Sequence, residues 1–200
     1  MKNAMKEYLL KDGFIIAAVI ASMSVAGCNK AEPAKETEPA KATEPAKEDA
    51  PANGGDDKVS AALEGKLIGL KDGDIAEAKL TGSPEYYVLY HSASWWGACK
   101  SITKQLASIN EKNIKHGDKK KFQIVLVDYD RSEKGLEDYV KGSAMSWPAI
   151  KLDQKDSVSQ LTSLGETGFI PNLVLLNATG EMVSNKRDEV LKKLAELVES

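Results

Sequence analysis

Tyr86-Tyr87-Val88-Leu89-Tyr90-His91 runs directly into Ser92-Ala93-Ser94-Trp95-Trp96-Gly97-Ala98-Cys99-Lys100, and the reading of this passage decides the fold. Its first six residues are apolar on both faces, as expected of a central strand covered on two sides. From residue 97 to 113 the period changes, and Ile102, Leu106 and Ile109 fall at helical spacing. A buried strand therefore turns sharply into an amphipathic helix, with two adjacent tryptophans and a cysteine at the turn.

The same alternation continues on both sides. Upstream, residues 66–70 and 74–80 read as a short hairpin around Lys71-Asp72-Gly73. Downstream, residues 122–127 (FQIVLV) form a second buried strand ended by Asp128-Tyr129-Asp130, and Ser132 opens a helix to about Lys141. Residues 158–164 read as a short helix and 171–176 as a third buried strand. Asn177-Ala178-Thr179-Gly180 turns into a fourth strand at 181–184, and Val190, Leu191, Leu194 and Leu197 put one apolar stripe on a last helix over 187–199. This order predicts an α/β domain over 59–200, with a central mixed sheet, helices on both faces and an N-terminal β-hairpin.

The first 58 residues have a different character. Lys2, Lys6 and Lys11 precede 13 uncharged residues, 14–26, too few to span roughly 30 Å of hydrocarbon as a helix and suited to the core of an export signal. Val25-Ala26-Gly27-Cys28 resembles a bacterial lipobox. The resemblance implies a signal peptide at 1–27 and a lipid on Cys28, since two or three acyl chains hold a protein stably where one does not. A plain secretory signal is the alternative. Residues 29–57 contain no Val, Ile, Leu, Met, Phe, Trp or Tyr, and repeat Glu-Pro-Ala-Lys three times from Glu32, Glu38 and Glu44. Such a segment has nothing to bury. Residues 28–58 are expected to be a disordered linker, stiffened by proline, lifting the domain off a membrane. A cell-wall-binding repeat is the other reading. The expected location is the bacterial cell envelope, at the periplasmic face of either membrane or at the cell surface.

Composition removes several functions. The chain has 27 Lys+Arg against 30 Asp+Glu, for a net charge of −3, so it lacks the basic surplus that nucleic acid requires. Two cysteines and two histidines leave little for a metal cage, an Fe–S cluster or a disulfide scaffold. There is no phosphate-binding glycine loop, zinc-protease helix or serine-hydrolase elbow. No cofactor and no metal are expected.

The passage at 92–100 resembles the strand-to-helix active-site corner of the thioredoxin superfamily, usually written Trp-Cys-Gly-Pro-Cys-Lys. Other landmarks follow in matching order. Val127–Glu133 and Met145-Ser146-Trp147-Pro148-Ala149 resemble the tryparedoxin and nucleoredoxin branch. Gly168-Phe169-Ile170-Pro171-Asn172 resembles the segment carrying that fold's cis-proline, and Gly180-Glu181-Met182-Val183 its final hairpin. In the family the first cysteine of the corner attacks a substrate disulfide and the second resolves the mixed disulfide. Here Trp96 stands at the first position and only Cys99, at the second, remains. Cys28 would be blocked by its thioether, so no intramolecular dithiol can form. The resemblance thus implies a degenerate corner (Trp95, Trp96, Gly97, Ala98) beside a retained substrate groove at Ile170 and Pro171.

Cys99 has three readings: a small buried hydrophobe, a redox-responsive thiol, or a metal ligand. A helix N-terminus favours thiolate formation, whereas shielding by Trp96 opposes both ionisation and access. Tyr90 occupies the place where thioredoxins proper carry a buried acid. His91 is expected to be structural, and packing is the ordinary expectation for Trp95 and Trp147. Trp96 fills a position that the family exposes. Two functions follow. In the first, the domain is a binding or accessory module that uses the old groove for a periplasmic or surface protein or peptide. In the second, it is a monothiol oxidoreductase or redox sensor acting through Cys99.

Overall fold

The computed structural model describes residues 57–200. The export signal at 1–27, the lipidated Cys28 and most of the 28–58 linker expected from the sequence lie outside the described residues. Within them the elements are α1 (Lys58–Leu63), β1 (Leu67–Lys71), β2 (Asp74–Ala78), β3 (Tyr86–Ser92), α2 (Gly97–Ile114), β4 (Phe122–Asp128), α3 (Glu133–Gly142), β5 (Ala149–Ile150), α4 (Ser159–Thr162), β6 (Asn172–Asn177), β7 (Met182–Ser184) and α5 (Arg187–Leu197).

Seven strands form one mixed sheet in the order β2-β1-β5-β4-β3-β6-β7. β3 runs parallel to β4, pairing Tyr86 with Phe122 through to Ser92 with Asp128. It runs antiparallel to β6, where His91 faces Asn172. All seven residues of β3 and all seven of β4 are buried, because helices cover both faces and water reaches neither. Alternate residues feed two cores. Val88, Tyr90, Ile124 and Leu126 pack with Leu106, Leu136 and Leu194 of α2, α3 and α5. Tyr87, Leu89, Val125 and Val127 pack with Val59 and Leu63 of α1 and with Val158.

The hairpin turn is Asp72-Gly73, both with positive φ (54° and 89°), the two-residue geometry whose twist matches the flanking strands. Ser132 caps α3, its hydroxyl accepting the Gly135 N–H at 3.1 Å. Two elements were not expected. α1 is held at its start by the Asp57 carboxylate, which accepts from the Ser60 N–H at 2.8 Å and from the Tyr87 hydroxyl. β5 is two residues long and bridges β4 to β1, too short for any period to show. The expected helix at 158–164 is divided into a 3₁₀ turn at Asp156–Val158 and the single turn of α4.

Candidate functional site

β3 delivers the chain to the corner at its C-terminal end, and α2 takes it away. Trp96 is the N-cap residue of α2, and its indole makes no capping hydrogen bond. The cap is therefore unlike the Ser, Thr, Asp or Asn that ordinarily closes a helix start. Trp95 is 62% exposed and Trp96 48%, and their rings meet edge to face at 6.2 Å. Packing was expected for Trp95, so its exposure is a correction. It follows from the turn: with Ala93 and Cys99 directed into the protein, residues 95–98 between them are exposed. Trp147 does pack, at 2% exposure. Gly97 and Ala98 are exposed.

Cys99 is fully buried and is a free thiol. Its carbonyl is the anchor of a buried hydroxyl chain. Tyr90 donates to the Cys99 oxygen at 2.8 Å and Thr103 donates to it at 2.9 Å. Thr103 lies 3.0 Å from the Tyr139 hydroxyl, which lies 2.7 Å from Ser92 Oγ. One proton assignment satisfies all four hydroxyls: Tyr139 donates to Thr103, and Ser92 donates to Tyr139. Burial pushes the Tyr90 phenol well above its usual range. Tyr90 therefore stays protonated and acts as a fixed donor to the Cys99 carbonyl.

A second polar cluster lies at the end of β3 where His91 pairs with Asn172. His91 is buried, and Nδ1 lies 3.1 Å from the Tyr129 hydroxyl. That hydroxyl donates to Glu166 Oε1 at 2.6 Å, so His91 Nδ1 carries the proton and Nε2 is left bare. Nε2 is buried without a partner. Burial lowers the imidazole pKa to about 4, keeping the ring neutral. Lys155 Nζ sits 4.1 Å above the Tyr129 ring and donates to the Asp128 carbonyl at 2.5 Å. The pair Asp128 and Asp130 ties β4 to the corner. Asp130 accepts the Ser94 N–H at 3.2 Å and its hydroxyl at 3.0 Å. The Asp128 carboxylate accepts the Asp130 N–H at 3.1 Å, and burial, then repulsion from Asp130, raises its pKa to about 7.

Ile170 and Pro171 are half-buried and joined by a cis peptide bond immediately before β6. Asn172 pairs with His91 at the end of β3, which brings this loop to the same end of the sheet as the corner. Phe169 beside them is 81% exposed. Sequence reasoning singled out neither Phe169 nor the Asp128–Asp130 and Tyr129–Glu166 pairs. The available signals were a bulky aromatic between Gly168 and a proline, and two acids closing a buried strand. Cys99 touches neither Ile170 nor Pro171 through any hydrogen bond. As chemistry, the site presents aromatic surface and backbone groups, with its one thiol closed from water.

Residues 83–182 match the family model described as thioredoxin-like. The tryparedoxin of Trypanosoma brucei brucei is 34% identical over 117 residues, covering 58% of this chain and 76% of that one. Xenopus laevis nucleoredoxin is 35% identical over 133 residues, which is 66% of this chain and 31% of the relative. The chain thus spans less than a third of that nucleoredoxin. Among solved structures, tryparedoxin from Trypanosoma brucei superposes with a TM-score of 0.53 at 30% identity, covering 68% of this chain and 92% of that one. Tryparedoxin I from Leishmania major gives 0.52 at 28% identity, covering 70% and 93%.

Proposed function

The chain belongs to the thioredoxin-like family, in its tryparedoxin and nucleoredoxin branch, and from that premise we propose that it is a tethered binding domain whose corner has lost dithiol exchange. The observation that carries this reading is the burial of Cys99, at 0% exposure beneath an exposed Trp96. Disulfide exchange requires a thiolate that a substrate sulfur can approach. Here the approach is closed, and the position that the family gives to the attacking cysteine holds an indole.

What remains is a recognition surface. Trp95, Trp96 and Phe169 are exposed, and the pairing of His91 with Asn172 brings the corner and the loop leading into Ile170 and Pro171 to the same end of the sheet. Aromatic faces beside a free backbone edge suit an extended peptide, with main-chain hydrogen bonds for affinity and ring contacts for selection. The partner is a periplasmic or surface protein, and the domain reaches it from a lipid on Cys28 through the proline-containing spacer. The place of action is the bacterial cell envelope.

The test is Trp96→Cys. The variant is expected to reduce insulin disulfides, and the unmodified chain is not. In the unmodified chain Cys99 is expected to react slowly with a chromogenic disulfide and to react fast once unfolded. Reductase activity in the unmodified chain, abolished by Cys99→Ser, would establish the monothiol reading instead.

A further inference from the structure

α2 and α3 lie on the same face of the sheet and leave an open groove of about 610 Å³ between them, within the size range of small-molecule sites. Its width comes from small side chains. α2 presents Ala107 and α3 presents Gly135 and Gly142, and a Cβ built on Gly142 meets nothing within 4 Å.

The floor carries Thr103 and Tyr139, 5% and 4% exposed. Their hydroxyls are engaged with Cys99, Tyr90 and Ser92, so the floor offers an occupant methyl and ring surface rather than free donors. Charge lies only at the rim. Asp138 is neutralised by Lys134 at 2.9 Å. Lys100 and Lys104 also line the groove, both exposed and in no salt bridge among the described residues. They sit four positions apart on α2, where like charges repel. An anionic group placed between them relieves that repulsion and gains two charge-assisted contacts.

We propose that this groove binds a small amphipathic anion, its acid group between Lys100 and Lys104 and its apolar chain along Ala107 and Gly142. The proposal does not rest on peptide binding at the corner: its apolar floor and cationic rim belong to α2 and α3, and the corner contributes Ser94 to the lining.

Laurate is the probe, titrated into the full chain with binding followed by amide NMR shifts. Saturable shifts are expected at Ala107, Gly135 and Gly142. Lys100→Gln with Lys104→Gln is expected to weaken binding by about tenfold or more, as is replacing laurate by dodecyltrimethylammonium, with the same chain and the opposite charge. Gly142→Leu fills the groove and is expected to abolish the shifts. No saturable shifts at these residues overturns the proposal, as does a smaller loss in the double lysine variant or equal affinity for the cation. Should Gly142→Leu fail to fold, the exposed lysine pair still decides the matter.

Discussion

Asp128, the last residue of β4, and His91, the last but one of β3, are closed from water, and each keeps one polar atom without a partner, Oδ1 and Nε2 respectively. Their pKa values move in opposite senses, so their effects on stability oppose each other. Asp128 rises from 3.8 to about 7. Between those values the folded state holds a proton that the unfolded state has released, and stability falls as pH rises. His91 drops from 6.5 to about 4. Between those values the unfolded state holds the extra proton, and stability rises with pH. Each slope is at most about 1.4 kcal/mol per pH unit, and the two largely cancel from pH 4 to 6.5. Single substitutions unmask them. Asp128→Asn is expected to become more stable as pH rises from 4 to 6.5, and His91→Gln less stable from 4 to 7, by urea unfolding at several pH values. Parallel profiles for the two variants would refute the assignment. Little of this was legible in the sequence. Asp128 and His91 each sit in an apolar run, but which atoms lack partners depends on Tyr129, Asp130 and Lys155 packed around them.

Among the elements, the loop from Gly165 to Pro171 bears most directly on the site, because it carries Phe169 and Ile170 to the end of the sheet. It is pinned at Gly165, whose carbonyl accepts from the Asn172 and Asn185 amides at 3.1 and 3.3 Å. Gly165 has a φ of 63°, and a Cβ there would lie 2.7 Å from Met182 Sδ and 3.1 Å from Val174 Cγ1. Gly165→Ala therefore combines left-handed strain with overpacking. It is expected to cost about 2–3 kcal/mol in urea denaturation. A cost below about 0.5 kcal/mol would mean that the loop is not held there. The long elements were readable because their periods repeat: β3, β4, β6 and α2 fall within a residue or two of the expected bounds. α1 and β5 were not, because six and two residues give no period, and their stability comes from what they touch. α1 leans on Tyr87 through Asp57 and on the Ala178 carbonyl through the Lys58 N–H at 3.1 Å; β5 fills the gap between β4 and β1.

At the scale of the whole molecule, the proposed function joins a lipid anchor at Cys28 to a recognition surface at the corner. Cys28→Ala is expected to move the chain from the membrane pellet to the soluble fraction on cell fractionation, since two or three acyl chains supply an anchor that one does not. Unchanged sedimentation with membranes would remove the tether from the proposal. The residue order alone determined that the described domain holds a single thiol, Cys99, and that strands and helices alternate around a mixed sheet. Both are local properties, one a covalent inventory and the other a repeat of period two or 3.6. Only the tertiary structure decided that Trp95 faces water, that the loop carrying Phe169 comes to the same end of the sheet, and that Cys99 is sealed. It also decided that Asp130 holds Ser94 across 36 positions and Tyr129 holds Glu166 across 37. Exposure and pairing of that kind depend on which distant segment comes to rest over a side chain, and no short window of sequence contains that segment.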